Sequence, residues 1–146
     1  MRPFPAEGGT AGTIRAIFLD RSGTSRPSQN RAAPEKQTGK FVQLRNGDRE
    51  YLVFSPTSIT PYHGDILERF CRDREIAAVY DGGKRRFDIR DPAWIITGGG
   101  KYEIDRGSRR IRLYDDSMAY GRFDSRGLRE KVPLTKELKD YTVQID

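Results

Sequence analysis

Apolar and polar positions alternate along several short stretches, and this two-residue period predicts β-strands. Residues 40–45 alternate in this way, and residues 49–54 repeat the pattern. The Asn-Gly-Asp sequence between them, at residues 46–48, is typical of a tight hairpin turn. Residues 109–114 also alternate, with basic side chains on one face. These stretches predict a hairpin and at least one further strand of the same sheet.

Other stretches predict strands from their apolar content. Residues 76–80 form a short apolar run that is typical of a buried strand, and residues 141–145 predict a terminal strand. Residues 93–97 predict a strand that runs into three glycines at residues 98–100. We interpret the triple glycine as a turn, with extended chain continuing after it.

A helical period follows residue 60, where apolar side chains recur at positions 66, 67 and 70. Thr60 is predicted to be the N-cap residue of this helix. Pro61 fits the first turn, because an N–H at that position would have no intrahelical acceptor. His63 is then expected in the first turn, and the helix is expected to end near Arg74. A second helix is predicted between residues 125 and 140, interrupted by Pro133.

The predicted fold is α/β (α+β): a single compact domain with a mixed β-sheet and two helices packed on it. We assign this domain to residues 39–146. Residues 1–38 are rich in Gly, Ser, Pro and Arg, and they predict a flexible tail. Residues 13–19 form a candidate strand in this tail, which either joins a sheet edge or belongs to a mobile arm.

The composition indicates which classes of partner and which kinds of site the protein can have. The chain has 146 residues with a formal net charge of +6, which favours anionic partners such as phosphate groups or nucleic acid. Cys71 is the only cysteine, so an intrachain disulfide and a cysteine-based zinc site are both excluded. No apolar run has the length of a membrane span, and no signal pattern precedes the domain. We therefore expect a cytoplasmic protein.

His63 is the only histidine, and its predicted place at a helix N-terminus affects its charge. The partial positive charge of that helix end disfavours the imidazolium form. A neutral ring at pH 7 can act as a base or a nucleophile. From these residues alone, a packed histidine without chemistry is the favoured alternative.

Two glycine-containing segments are candidate phosphate sites. Residues 98–101 combine three unhindered backbone N–H groups with a lysine, and residues 117–121 place small residues and a serine hydroxyl after a strand. For residues 98–101 the alternative is a flexible turn or a bulge, and for residues 117–121 it is an ordinary strand-to-loop junction with Met118 and Tyr120 packed inward. Asp115 and Asp116 could bind Mg²⁺, but neighbouring loop aspartates are usually solvated, so we predict no metal site.

Three motifs together resemble the signatures of the Janus/Ocnus family, which includes phosphohistidine phosphatases. They are Tyr-His-Gly-Asp-Ile at residues 62–66, Gly-Gly-Gly-Lys at 98–101 and Ser-Met-Ala-Tyr-Gly at 117–121. The order and approximate spacing of the motifs also match. The resemblance extends from about residue 39 to the C-terminus.

The resemblance implies hydrolysis of the P–N bond of phosphohistidine, or also phospholysine, without a metal or another cofactor. The implied substrate is a phosphohistidine-containing protein or a small phosphoramidate, and we expect a monomer that binds no membrane. His63 is implied as the catalytic base, with direct attack by the ring as the competing description. The implied phosphate-binding residues are Lys40, Gly100, Lys101, Ser117, Met118 and Ala119.

Some positions depart from the family pattern. Lys101 replaces an arginine, which keeps the charge and loses the bidentate fork. Gly64 replaces an alanine, and residues 115–116 bring negative charge close to the expected anion site. These departures keep a second hypothesis open, a phosphate-binding module without catalysis. A third hypothesis, which we rank low, is nucleic-acid binding through Arg109, Arg110, Arg112, residues 84–86 and the N-terminal tail.

Overall fold

The computed structural model describes residues 13–19, 34–60, 62–80 and 87–146. Its secondary structure in chain order is β1 (Ile14–Phe18), β2 (Lys36–Asn46), β3 (Arg49–Pro56), α1 (His63–Asp73), β4 (Ala78–Tyr80), β5 (Phe87–Ile89), β6 (Trp94–Asp105), β7 (Arg110–Tyr114), α2 (Leu128–Lys131), a 3-10 helix (Val132–Leu134) and β8 (Thr142–Ile145).

Six strands form one mixed sheet in the order β1-β3-β2-β6-β7-β8. The inner strands are antiparallel, whereas the two edge strands are parallel to their neighbours, β1 to β3 and β8 to β7. Strands β4 and β5 form a separate two-stranded sheet. The predicted α+β fold, a mixed sheet with two helices packed on it, is confirmed.

Both faces of the sheet are covered, because apolar side chains of the inner strands point alternately to opposite sides. Helix α1 covers one face, where the core contains Val42, Leu44, Val53, Ile66, Leu67 and Phe70. The segment that contains α2 covers the other face, where the core contains Phe41, Leu52, Phe54, Tyr102, Leu128 and Leu138. The hairpin β2–β3 therefore contributes to two cores at once.

The predicted hairpin is confirmed. Asn46 pairs with Arg49, so Gly47 and Asp48 alone make the turn. Gly47 has a φ of +62°, in the left-handed region that glycine adopts without steric cost.

The predicted glycine turn is wrong, because the three glycines lie within strand β6, whereas the alternative of a bulge agrees with a register shift immediately beside Gly98. Phe41 pairs with Gly100, Val42 with Gly99 and Gln43 with Gly98. The register then shifts by one residue at Thr97, whose hydroxyl donates to the carbonyl oxygen of Gln43. The strand continues through the glycines because it pairs with β2 along its whole length.

The start of α1 also differs from the prediction. The helix begins at His63, and the N-cap residue is Tyr62. The Tyr62 side chain makes no capping hydrogen bond. Thr60 is not the cap, because its hydroxyl donates to the hydroxyl of Ser55 at the end of β3. Pro61 lies outside the described residues.

The second helix is shorter than predicted. It is one turn of α-helix that continues into the 3-10 helix, and residues 136–140 form a turn. Thr135 caps that turn, since its hydroxyl accepts from Leu138 N–H at 3.2 Å and donates to the Val132 carbonyl at 2.8 Å. Among the described residues, no helix has the length and apolar character needed to cross a membrane.

The apolar run at residues 76–80 is not a buried strand of the main sheet. Only Ala78–Tyr80 is extended, it pairs with β5 alone, and the Val79 side chain is 42% exposed. The basic segment at residues 81–86, predicted as a turn, lies outside the described residues.

The candidate strand at residues 13–19 is present as β1, at the edge of the sheet beside β3. Strand β2 begins at Lys36, three residues before the predicted domain boundary at residue 39. The remainder of the predicted tail, residues 1–12 and 20–33, lies outside the described residues.

A buried polar network joins the β2–β3 hairpin to the segment around α2. Gln43 and Glu50 are both buried, and the Gln43 amide donates to Glu50 at 2.6 Å and to the Asp124 carbonyl at 2.8 Å. Lys131 donates to the second Glu50 oxygen at 2.7 Å, and Arg45 pairs with the Asp124 carboxylate at 3.1 Å. A buried carboxylate is tolerated here because each oxygen has its own donor.

We expect Glu50→Gln to lower the free energy of unfolding by about 2–3 kcal/mol, because it removes the buried negative charge that pairs with the partly buried Lys131 ammonium. The matched control is Glu103→Gln, at an exposed carboxylate paired with Arg112, with an expected loss of about 0–1 kcal/mol. Urea unfolding of both variants measures the difference. Equal losses would contradict a stabilising role for the buried network.

Candidate functional site

The His63 side chain lies at the first residue of α1 and is 8% exposed. Its Nε2 atom is 2.9 Å from the carbonyl oxygen of Gly100 in β6. A carbonyl oxygen can only accept a hydrogen bond, so Nε2 carries the proton. In the neutral ring Nδ1 therefore holds the lone pair, and it is the nitrogen that can take a proton or attack an electrophile.

The glycines of β6 make room for this contact. A Cβ atom on Gly99 would lie 2.7 Å from the carbonyl oxygen of Phe41, 2.9 Å from the His63 ring and 3.2 Å from Ser117 Cβ. A Cβ atom on Gly100 would lie 2.6 Å from the carbonyl oxygen of Tyr114. Side chains at these positions would therefore push the ring and the loop away from the strand.

The predicted phosphate loop follows β7 and lies against β6. Gly99 N–H donates to the carbonyl of Gly121 at 3.0 Å, and Phe123 N–H donates to the carbonyl of Gly99 at 3.2 Å. These bonds extend the sheet locally, beyond the point where β7 ends. The Gly99 N–H is therefore not available to a phosphate, because it donates to Gly121. Gly99 contributes to the site by having no side chain, which leaves room for the His63 ring and Ser117.

Hydrogen bonds within the loop limit how it could hold an anion. Ser117 N–H donates to the Gly121 carbonyl at 3.1 Å, and Tyr120 N–H donates to the Ser117 hydroxyl at 3.2 Å. Ser117 is buried, whereas Met118 is 97% exposed, so the expectation that Met118 packs inward is wrong. Within the described part of the chain, no hydrogen bond involves the Met118 N–H. Because Met118 is exposed, that N–H is a loop donor that is available to an external oxyanion.

Tyr120 joins the loop to strand β5. Its hydroxyl donates to the Phe87 carbonyl at 2.7 Å and accepts from the Phe87 N–H at 2.6 Å. The expectation that Tyr120 packs inward agrees with this contact and with its packing against the α1-side core. Sequence reasoning missed the partner, because the two residues are 33 positions apart and share no local pattern.

Lys40 and Lys101 lie directly opposite each other on β2 and β6. Lys40 is two residues from Val42, which packs under α1, so both lysines are on the face of the sheet that carries His63. The Lys40 ammonium is 5.7 Å from the centre of the Tyr62 ring. The predicted pair of cations is therefore present on the histidine side of the sheet.

Lys101 has a carboxylate partner. Its ammonium is 3.1 Å from Asp115 Oδ2, and this hydrogen bond raises the pKa of Lys101 and lowers the pKa of Asp115. The sequence identified Asp115 only as an acidic residue that departs from the family pattern and as a possible metal ligand, and it did not indicate the ion pair with Lys101. Among the described residues, no group of three or more His, Cys, Asp or Glu side chains could hold a metal ion.

Burial controls the charge of His63. Desolvation lowers the pKa of the imidazole from its ordinary value of 6.5, and the positive charge of Lys40 lowers it further. The hydrogen bond to Gly100 and the carboxylates of Asp115 and Asp116 act in the opposite direction without reversing the shift. The ring is therefore neutral at pH 7.

The basic face of β7 offers less free charge than the sequence indicates. Arg112 pairs with Glu103 at 3.3 Å and donates through Nε to the Asp146 carboxylate. These contacts neutralise Arg112, which is one of the basic residues on which the nucleic-acid hypothesis was based.

We expect the free energy of unfolding to fall as the pH drops below about 6.5, because the unfolded chain binds the His63 proton before the folded protein does. Above that pH this contribution is fully present. Urea unfolding at pH 7.0 and 5.5 measures the loss, and ring NMR reports the Nε2–H tautomer directly. The control is His63→Gln, which has no titrating ring and should lose less stability over this interval. An equal loss in both proteins would rule out the histidine as its source.

We expect Tyr120→Phe to destabilise the protein by about 1–2 kcal/mol and to speed hydrogen exchange at Phe87, because the hydroxyl that holds both main-chain groups is removed. The control is Tyr62→Phe, at an exposed tyrosine, with an expected change within about 0.5 kcal/mol. Similar values for the two variants would show that the Tyr120 hydroxyl does not hold the loop.

Comparison with known proteins assigns no family: no protein-family model matches the chain, and no curated protein matches it.

Proposed function

We propose that this protein is a Janus/Ocnus-type phosphatase that hydrolyses the P–N bond of phosphohistidine, and also of phospholysine, in proteins or small phosphoramidates. The observation that carries the proposal is the fixed tautomer of a neutral His63 on the same face as two lysines. A base and two cations on one side of a sheet suit a reaction in which an anionic phosphoryl group is attacked by water.

In the general-base description, His63 Nδ1 takes a proton from a water molecule while the water oxygen bonds to phosphorus. The P–N bond breaks, its electron pair goes to the leaving nitrogen, and that nitrogen takes up the proton that His63 Nδ1 removed from water, which returns the ring to its neutral form. The hydrogen bond from Nε2 to Gly100 holds the ring in place and becomes stronger once the ring is positive.

In the competing description, Nδ1 attacks phosphorus itself. A P–N bond to the ring forms as the bond to the leaving nitrogen breaks, and water then hydrolyses the phosphorylated ring. Both descriptions need the same neutral ring and the same tautomer. They differ in whether His63 carries the phosphoryl group between the two steps.

The phosphoryl oxygens would be held by Lys40, Lys101 and the N–H of Met118. The lysine ammonium is a point charge with rotatable donors, whereas the arginine guanidinium is a planar fork that can bind two oxygens. The orientation of the phosphoryl group therefore depends more on main-chain donors here than it would with an arginine. Ser117 supports the loop from a buried position and is not expected to meet the phosphate through its own N–H, which is bonded to Gly121.

One further function is supported by a specific observation, namely a phosphate-binding module without turnover. The imidazole is only 8% exposed, and Asp115 already holds the Lys101 ammonium. Both features reduce access to the reacting atoms. This alternative predicts saturable binding of a phosphopeptide with no release of phosphate.

Hydrolysis of a phosphohistidine peptide in the presence of EDTA tests the proposal. We expect the wild-type protein to release phosphate, and His63→Gln to reduce kcat by at least about 100-fold, the lower range for general acid–base catalysis. Lys101→Gln should lower kcat/KM by about tenfold, whereas the same change at the exposed Lys136 on another part of the surface should leave it unchanged.

Binding without phosphate release would support the non-catalytic alternative. Full activity of a folded His63→Gln variant would remove His63 from the mechanism. Loss of activity in EDTA that is restored by a divalent cation would contradict the metal-independent reaction.

A further inference from the structure

The ion pair between Lys101 and Asp115 occupies part of the proposed phosphate site. The distance of 3.1 Å between Lys101 Nζ and Asp115 Oδ2 lies within hydrogen-bond range, so the carboxylate takes a donor that could otherwise bind a phosphoryl oxygen. A carboxylate and a phosphoryl group cannot both take the same donor without placing two anions in contact. Binding of phosphate at Lys101 therefore requires that Asp115 move away or share the ammonium.

The main chain of Asp115 is held firmly. Its φ is +64°, in the left-handed region, and its carbonyl oxygen accepts from Arg122 Nη1 at 3.0 Å. One oxygen of its own side chain accepts from the Asp116 N–H at 2.9 Å. These contacts hold the Asp115 carboxylate immediately beside Lys101.

The pair itself lies open to solvent. The Lys101 and Asp115 side chains are 45% and 42% exposed, so neither is trapped by packing. An exposed ion pair has a small net free energy, because water and salt compete with it. A dianionic phosphoryl group can therefore displace the carboxylate, although the displaced negative charge stays nearby.

We propose that Asp115 is an internal competitor for the Lys101 ammonium and that it lowers the affinity of the site for phosphoryl oxyanions. This inference rests on the proposed function of the His63 site. Its consequence for a phosphatase is weak retention of inorganic phosphate, the product, since the carboxylate returns to Lys101 when the phosphate leaves. The class of ligand affected is any phosphate or phosphoramidate oxyanion that uses Lys101.

Asp115→Asn tests the competitor directly. Asparagine tolerates the left-handed conformation, and its amide oxygen can still accept from the Asp116 N–H, so the loop should keep its shape. The matched control is Asp116→Asn, which removes the same charge one residue away without removing a contact to Lys101. The measurement is an NMR titration with inorganic phosphate at constant ionic strength, followed at His63, Lys101 and Met118.

We expect Asp115→Asn to lower the Kd for phosphate by about two- to fivefold, the range for loss of one exposed ion pair. Asp116→Asn should give a clearly smaller change. In a Lys101→Met background, Asp115→Asn should have no larger effect than Asp116→Asn, because the ammonium for which Asp115 competes is gone.

Equal changes in the two asparagine variants would overturn the proposal, since only net charge would then matter. A Kd unchanged or raised by Asp115→Asn would also overturn it. Phosphate at up to about 100 mM detects even very weak binding. If it caused no chemical-shift changes in any variant, both the anion site and the competition by Asp115 would be refuted. The phosphohistidine assay separates these outcomes, because hydrolysis that depends on His63 can persist when the competitor fails.

Discussion

Strand β6 has no side chain at Gly99 or Gly100, and the site depends on the space that this leaves. A Cβ atom on Gly99 would lie only 2.9 Å from the His63 ring and 3.2 Å from Ser117 Cβ. The ring reaches the Gly100 carbonyl only because the strand is bare at this point, and the 117–123 loop pairs with Gly99 for the same reason. One steric constraint on a central strand thus fixes the tautomer of the histidine and the position of the loop.

Two ion pairs of the protein show how burial changes the role of charge. Glu50 is buried between Gln43 and Lys131, and its removal leaves the buried Gln43 amide and the partly buried Lys131 ammonium without this partner. Asp115 and Lys101 form their pair at the surface, where solvent can replace either partner. The first arrangement suits a structural joint between the hairpin and the segment around α2. The second suits a contact that a ligand can exchange.

Predictions from local pattern succeeded where the local pattern decides the structure. The Asn-Gly turn at residues 46–48 fixes its own conformation, and the alternation of the flanking strands fixes which side chains are buried. The predictions failed where partners distant in sequence decide. The triple glycine lies in a strand because β2 pairs with it, and residues 78–80 form a strand outside the main sheet because they pair with β5.

The sequence by itself determined the fold class, the main hairpin, the amphipathic α1 and the chemical types available to a site: one histidine, several lysines and two glycine-containing motifs. These follow from propensity and periodicity, which act between neighbours in the chain. Only the tertiary structure decided which nitrogen of His63 carries the proton, that Tyr120 holds Phe87, and that Asp115 holds Lys101. Such contacts depend on distances between segments that the sheet brings together, and no local pattern encodes those distances.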